Sequence, residues 1–348
     1  MNKKQSGITL IELMIAIALG LFLISGLIYL YVGSKQSYST QAAVARVQET
    51  LRFAFEFFAY DVRMAGFTGC VNPRDSTPFV VANAPLPELG LTGSVRGYDN
   101  GVGWTQPTGW PNRVAGTDVL TISSVSNDCG ANLVAPFSNG SQLFISANSC
   151  GFVDNQVLVV TDCRRADVFR GAFSNSGGSV NVAHGSAQNT QPTGTPCPPG
   201  SGKLVSECTT AGNYKGDAFL ASLVGWTFYI GLNDRGNPAL YRGGYNAGAP
   251  EELVEGVYDM QLEFGLDTID DTIFVADQYL PANSINVPST APHWGQVISV
   301  RATFSARSNE DGVMPQAATY PYNGNAATSD RRYRQTYTTV IGLRNYVQ

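Results

Sequence analysis

Lys3-Lys4-Gln5-Ser6-Gly7-Ile8-Thr9-Leu10-Ile11-Glu12-Leu13-Met14 joins a short basic leader to the start of a long apolar segment. Two lysines and a glycine lead into an apolar run that holds Glu12 at its fifth residue. From Ile8 to Val32 there is no other charge and no proline, and only Thr9 and Ser25 are small polar side chains. A run of that length is enough to cross a bilayer as a helix. An acid at such a depth costs roughly 2.5–3.5 kcal/mol on insertion scales, so something must offset Glu12.

Cleavage between Gly7 and Ile8 would supply the offset. It creates an α-amino group at the head of the segment, where no Lys or Arg occurs before Val32. Within one chain Glu12 can lean back on that amine, one helical turn away. In a packed bundle it can neutralise a neighbour's amine and set axial register, the role in which buried charge pairs are best attested. Three plainer readings explain less. A secretory signal has an apolar core of about 7–15 residues and ends in a small-residue cut site, whereas Ser25-Gly26-Leu27-Ile28 is a poor one. A single-span anchor accounts for the length but not for Glu12 or the Gly7–Ile8 junction. A buried core helix is shorter and does not follow a basic terminus.

Gly7-Ile8-Thr9-Leu10-Ile11-Glu12-Leu13 resembles the class III signal of type IV pilins and type II secretion pseudopilins. The resemblance covers the first tenth of the chain. It implies a prepilin peptidase that cuts after Gly7 and N-methylates Ile8, with Glu12 and Thr9 at the start of a helix used in assembly.

The remainder has the composition of a β-rich, loop-rich exported body. Charged residues make up 14%, below the usual quarter. The net charge is −5, and loss of Lys3 and Lys4 with the leader takes it to about −7, which leaves no electrostatic footprint for nucleic acid. Arg331-Arg332-Tyr333-Arg334 is the one basic cluster and reads as a solvated turn or subunit contact. Lys3 and Lys4 before the span place the N-terminus in the cytoplasm and the body outside. Six cysteines, Cys70, Cys129, Cys150, Cys163, Cys197 and Cys208, then read as three disulfides, for which sequence allows fifteen connectivities. Cys197 and Cys208 bracket a short Pro/Gly-rich stretch and are the first pair expected, with Cys129–Cys150 and Cys70–Cys163 after them.

Beyond the span, Val44, Val47, Leu51, Phe55, Phe58, Val62 and Ala65 recur every three or four residues, and Gly66 is a suitable helix stop. One helix from Ile8 to Ala65 would run for about 58 residues, roughly 87 Å. Residues 8–32 form its transmembrane or fibre-core part and 33–66 its amphipathic part. Residues 67–173 read as a first β lobe, with strands at Val119–Ile122, Gln142–Ile145 and Val157–Val160. Residues 174–216, rich in Ser, Gly, Asn, Thr and Pro, read as a long surface loop. Residues 217–348 read as an antiparallel sheet, with a hairpin around Asn233–Pro238 and alternation through Met260, Leu262, Phe264 and through Ile298, Val300, Ala302, Phe304. The fold class expected is α+β: a lollipop whose long helix packs on a β-sheet body with an additional β-rich lobe.

Leu253-Val254-Glu255-Gly256-Val257 through Phe264 resembles a segment of the PilW and GspJ group of minor pilins and pseudopilins. Thr338-Thr339-Val340-Ile341-Gly342-Leu343-Arg344-Asn345 is similar to their terminal strand, and Val160-Thr161-Asp162-Cys163 to PilW-type proteins. Major pilins often kink the helix at a proline near the place where Tyr29 stands here. The resemblance implies a structural, non-enzymatic minor pilin that helps to initiate a type IV pilus and sits in its tip complex. Its partners would be a prepilin peptidase, other minor pilins, the major pilin and a tip adhesin. A type II secretion pseudopilin and a membrane-anchored adhesin or lectin are the alternatives.

Signs of catalysis are lacking: there is no GxSxG, HExxH, P-loop or dinucleotide fingerprint, and no cofactor is expected. The two histidines, His184 and His293, sit in loop-like settings where a lone imidazole is solvent-exposed and idle. Asp267, Asp270 and Asp271 read as a solvated acidic loop rather than a calcium site. Trp104 and Trp110, with Tyr98 and Pro107, could form a recognition platform or anchor their loop to the body.

Overall fold

The computed structural model describes residues 9–69, 71, 79–83, 94–191, 195–198, 201, 203–209, 212–244, 248–269, 274–285, 292–322 and 325–346. One α-helix, α1 (Leu10–Met64), runs unbroken for 55 residues, about 82 Å. It holds no proline, and apart from Glu12 and Ser25 its side chains are apolar or aromatic, with small glycines, all round until Val32. Thereafter Val47, Leu51, Ala54, Phe55, Phe58, Ala59 and Val62 form one buried stripe. Gly66 ends it and donates its N–H to Ser123 of the body rather than back into the helix (2.9 Å).

The strands are β1 (Phe79–Val80), β2 (Val95–Tyr98), β3 (Val119–Asn139), β4 (Gln142–Ile145), β5 (Gln156–Thr161), β6 (Ala166–Ser176), β7 (Ser179–Ala183), β8 (Phe219–Leu232), β9 (Pro238–Gly244) and β10 (Glu251–Glu255) in a first sheet. Then come β11 (Val257–Leu266), β12 (Gln278–Leu280), β13 (Val297–Arg307), β14 (Ala318–Tyr322), β15 (Asn325–Asp330) and β16 (Arg334–Gly342). The first sheet runs β10-β9-β8-β5-β6-β7-β4-β3-β2, and β3 also pairs with β8. Six strands therefore close on themselves, β3-β8-β5-β6-β7-β4, all antiparallel. This ring is the additional lobe, filled by Leu133, Leu143, Ile145, Leu158, Val160, Phe169, Val182 and Leu220. A second sheet, β12-β11-β13-β16, is antiparallel throughout.

Two expectations about organisation change. Residues 174–216 are not a surface loop: β7 adds a strand to the ring, and Val182, Leu204, Val205 and Tyr214 are buried in it. The few apolar residues of that polar segment are those the core takes up. The expected boundary between 67–173 and 217–348 is also not one the strands follow. β8, β9 and β10 belong to the first sheet, while the strands from β11 to β16 do not join it. Gly256 makes the change of sheet at φ 96°, and a Cβ there would lie 3.1 Å from the Arg307 carbonyl.

The helix seats where the two sheets meet. The Phe58 ring lies edge-on to Phe228 of β8 (5.1 Å) and to Phe304 of β13 (5.2 Å). Phe55 contacts Phe304 (4.8 Å) and Tyr337 of β16 (5.0 Å). Both sheets thus receive the helix.

Candidate functional site

The helix start is self-satisfied. Thr9 is the N-cap; its Oγ1 accepts from the Glu12 N–H (3.3 Å), while Glu12 Oε2 accepts from the Thr9 N–H and hydroxyl (3.0 Å each). This capping box closes donors that a helix end otherwise leaves open. It turns the lone acid back over the helix start, where it finds partners within its own chain. Gly7 and Ile8 lie outside the described residues.

Above this start lies an 18-residue stretch of mean hydropathy 2.6, none of it buried against the body. The body first takes hold at Gln36, whose Nε2 donates to the Val313 carbonyl (2.6 Å), and at Thr40, whose hydroxyl donates to the same oxygen (2.9 Å). An open groove of about 740 Å³ separates the amphipathic part of α1 from β10. Tyr38, Arg46, Phe53 and Phe57 form one wall, and Leu253 and Glu255 the other.

Charge locks the upper helix. Arg242 of β9 donates from Nη1 to Asp61 and from Nη2 to Glu251 (2.9 Å each), with its guanidinium 4.6 Å above the Trp226 ring. Burial lifts the Asp61 carboxyl above its ordinary value despite this cation. Asn345, near the C-terminus, donates to the carbonyls of Met64 (3.3 Å) and Ala65 (3.1 Å) and so covers the open end of the helix. Sequence reasoning missed Asn345, because a side chain capping a helix about 280 residues earlier leaves no local signal. A buried acid joins the two sheets: Asp118 Oδ1 accepts from the Asn100 N–H and Oδ2 from the Leu262 N–H (2.8 Å each). Desolvation raises its pKa to about 6.

Cys129 is bonded to Cys150 and Cys197 to Cys208, with Cα separations of 5.6 and 5.2 Å. Cys163 is disulfide-bonded, and Cys70 lies outside the described residues. The Cys197–Cys208 segment is held by a buried polar cluster. Asp167 accepts from the Ser206 N–H (3.3 Å) and the Tyr214 hydroxyl (2.7 Å), while Arg165 donates to the Ser206 and Gly212 carbonyls (2.8 and 2.6 Å).

The tryptophans anchor their loop. Trp110 is 9% exposed and stacks on Tyr229 (5.6 Å, 18°), its Nε1 donating to the Gly248 carbonyl (3.1 Å). A Cβ on Gly243 would fall 1.8 Å from the Trp110 ring, so that glycine is what lets the indole lie flat. Trp104 leans on Tyr229 (5.6 Å) and is half-buried. Of the two readings the sequence left open, Trp110 fits the anchor, buried in an aromatic stack, while Trp104 keeps part of its ring exposed. His184 is fully buried, edge-on to Phe169 (5.5 Å), rather than idle in solvent, because β7 carries it into the ring. Asp267 is buried, and Asp270 and Asp271 lie outside the described residues. The arginines of 331–334 are committed locally: Arg331 and Arg332 donate to the Met314 and Ser308 carbonyls and Arg334 to Asp330. Among the described residues no group of three or more His, Cys, Asp or Glu side chains could hold a metal ion.

Residues 227–345 match the profile described as Type IV Pilus-assembly protein W, and residues 2–28 match the prokaryotic N-terminal methylation motif. No curated protein matches the chain at a significant level. Among solved structures, a type IV-like pilin from Thermus thermophilus is similar at 9% identity and TM-score 0.33, covering 87% of this chain and 98% of that one.

Proposed function

We propose that this chain, whose residues 2–28 match a prepilin methylation motif and whose residues 227–345 match a PilW-type profile, is a structural, non-enzymatic minor pilin that helps to start a pilus and forms part of its tip complex. One observation carries this reading: a helix capped by Thr9 and Glu12 runs bare and apolar until the body grips it at Gln36. Such a helix is anchored in the inner membrane with its body on the far side, and it leaves lipid by exchanging lipid contact for packing against other helices. Cleavage at Gly7–Ile8 by the prepilin peptidase precedes that exchange. Glu12 then trades its hold on Thr9 for the amine of a neighbouring subunit, which fixes register. The groove beside α1 is where other minor pilins or the major pilin would lie.

The test is mass spectrometry of the N-terminal peptide in fibres sheared from cells. A peptide beginning with N-methylated Ile8, scarce beside a major subunit, is the expected result. A protein absent from the fibre fraction and still beginning at Met1 in cells would refute the reading. A deletion strain that keeps its fibres but loses protein secretion would reassign the chain to a secretion pseudopilus.

A further inference from the structure

Sheets that end in open strands invite pairing, and proteins usually shorten, bulge or charge those strands to prevent it. Among the described residues, four of the five edges of the two main sheets follow the rule. β1 has two residues, β2 four and β12 three, while β10 carries Glu251, Glu252 and Glu255 with a bulge between Glu252 and Val254. The fifth edge does not. β16 runs nine residues in unbroken register with β13, without Asp, Glu, Lys or Pro, and its one charge, Arg334 at the start, is paired with Asp330.

The direction of its backbone groups follows from the bonds at its two ends. The Leu343 N–H donates to the Ile298 carbonyl and the Ser308 N–H to the Tyr333 carbonyl (2.8 Å each). In an antiparallel ladder hydrogen-bonded pairs alternate, so residues 335, 337, 339 and 341 bond to β13. The N–H and C=O groups of Thr336, Thr338 and Val340 then point outward. Thr336 and Thr338 are exposed, and Val340 is 48% exposed. On the outer face the hydroxyls of Thr338 and Thr303 (2.8 Å) and of Thr336 and Ser305 (2.9 Å) bond to each other, which flattens that face. On the inner face Tyr337 rests on Phe55 yet is 53% exposed, leaving half a ring to cover.

We propose that the free edge of β16 docks one extended, uncharged strand of a different chain, added through the outward backbone groups of Thr336, Thr338 and Val340. The fit sets its chemistry. Side chains facing outward lie beside threonines and a valine, and those facing inward lie beside Tyr337, so the strand alternates small β-branched with apolar or aromatic residues. A neutral edge has no partner for a charged strand. A second copy is the poorer occupant, because the chain carries net negative charge, −5 in all, and like-charged copies repel. This inference does not depend on the pilus reading; strand addition is a general mode of recognition.

The probe is a synthetic peptide, acetyl-Thr-Val-Thr-Tyr-Thr-Val-Thr-amide, titrated onto the full chain in detergent micelles with residue-resolved amide exchange as the readout. Without peptide, Thr336, Thr338 and Val340 should exchange at least tenfold faster than Tyr337, Thr339 and Ile341. Saturating peptide should slow the first three by tenfold or more and leave the others unchanged. Thr338→Pro removes an outward N–H and the hydroxyl bonded to Thr303 while leaving the ladder to β13 intact, and should abolish the effect; Thr338→Val, which removes the hydroxyl alone, should not. If the proline variant does not fold, Thr336→Lys with Val340→Lys should abolish it by charging the edge. Absence of saturable binding, or binding that leaves the three amides fast, overturns the proposal. Protection of the same amides by self-association without peptide also overturns it, and assigns the edge to a second copy.

Discussion

Arg242 sits where helix, sheet and aromatic ring meet, and its removal separates two effects. In Arg242→Met the Trp226 contact is largely kept while Asp61 stays buried without its cation. Breaking one side of a buried pair costs about 3–5 kcal/mol, so the urea midpoint of the micelle-held protein should fall sharply at pH 7. The deficit should shrink as the pH drops, because a protonated Asp61 needs no cation. Asp118 gives the second pH effect. Its pKa near 6 in the fold, against 3.8 as the ordinary value, means that the native state still holds a proton the unfolded chain has released. Its contribution to stability is therefore present below about pH 4 and is lost as the pH rises to about 6, by about 3 kcal/mol at most. Subtracting the profile of Asp118→Asn from that of the parent should reveal this slope, and parallel profiles would deny it. At the membrane end, Glu12→Leu should leave Gly7–Ile8 cleavage and folding intact while fibres lose the subunit. Normal incorporation would remove Glu12 from any register role.

Elements differ in how openly the sequence announced them. Cys197→Ser with Cys208→Ser should cost about 2–5 kcal/mol and open 198–212 to proteolysis before the ring unfolds, seen as early cleavage with β-sheet circular dichroism retained. The helix was legible because a long apolar run without proline leads into a stretch, Val44 to Ala65, whose apolar side chains repeat at three and four residues. β4 and the β8–β9 hairpin were legible because Asn, Gly and Ser turns bracket them. The ring was not, since its closure depends on β3, which over 21 residues leaves one neighbour and joins another through register shifts that no local pattern marks. Residues 174–216 misled for a related reason: composition reported the polar majority, whereas Leu204, Val205 and Tyr214 decide where the segment lies. The tryptophan loop left both readings open until Gly243 was seen beneath Trp110.

At the scale of the molecule, the body is independent of the bare part of its helix, since its first bond to α1 is at Gln36. A chain beginning at residue 36 should unfold in water within about 0.5 kcal/mol of the full chain in micelles, the range of changes that touch nothing in the core. A much lower midpoint would mean that the membrane part supports the body. The cap that Asn345 places on Met64 and Ala65 has a consequence in time. A ribosome adding about 5–20 residues per second needs about 14 to 56 seconds to pass from the end of α1 to Asn345, and β13 and β16, which receive Phe55 and Phe58, also come late. Throughout that interval the helix waits in the bilayer with its upper face uncovered. Seating of the helix therefore waits on synthesis of β16 and Asn345, and a chain released before them would remain a tethered helix with an unfinished seat.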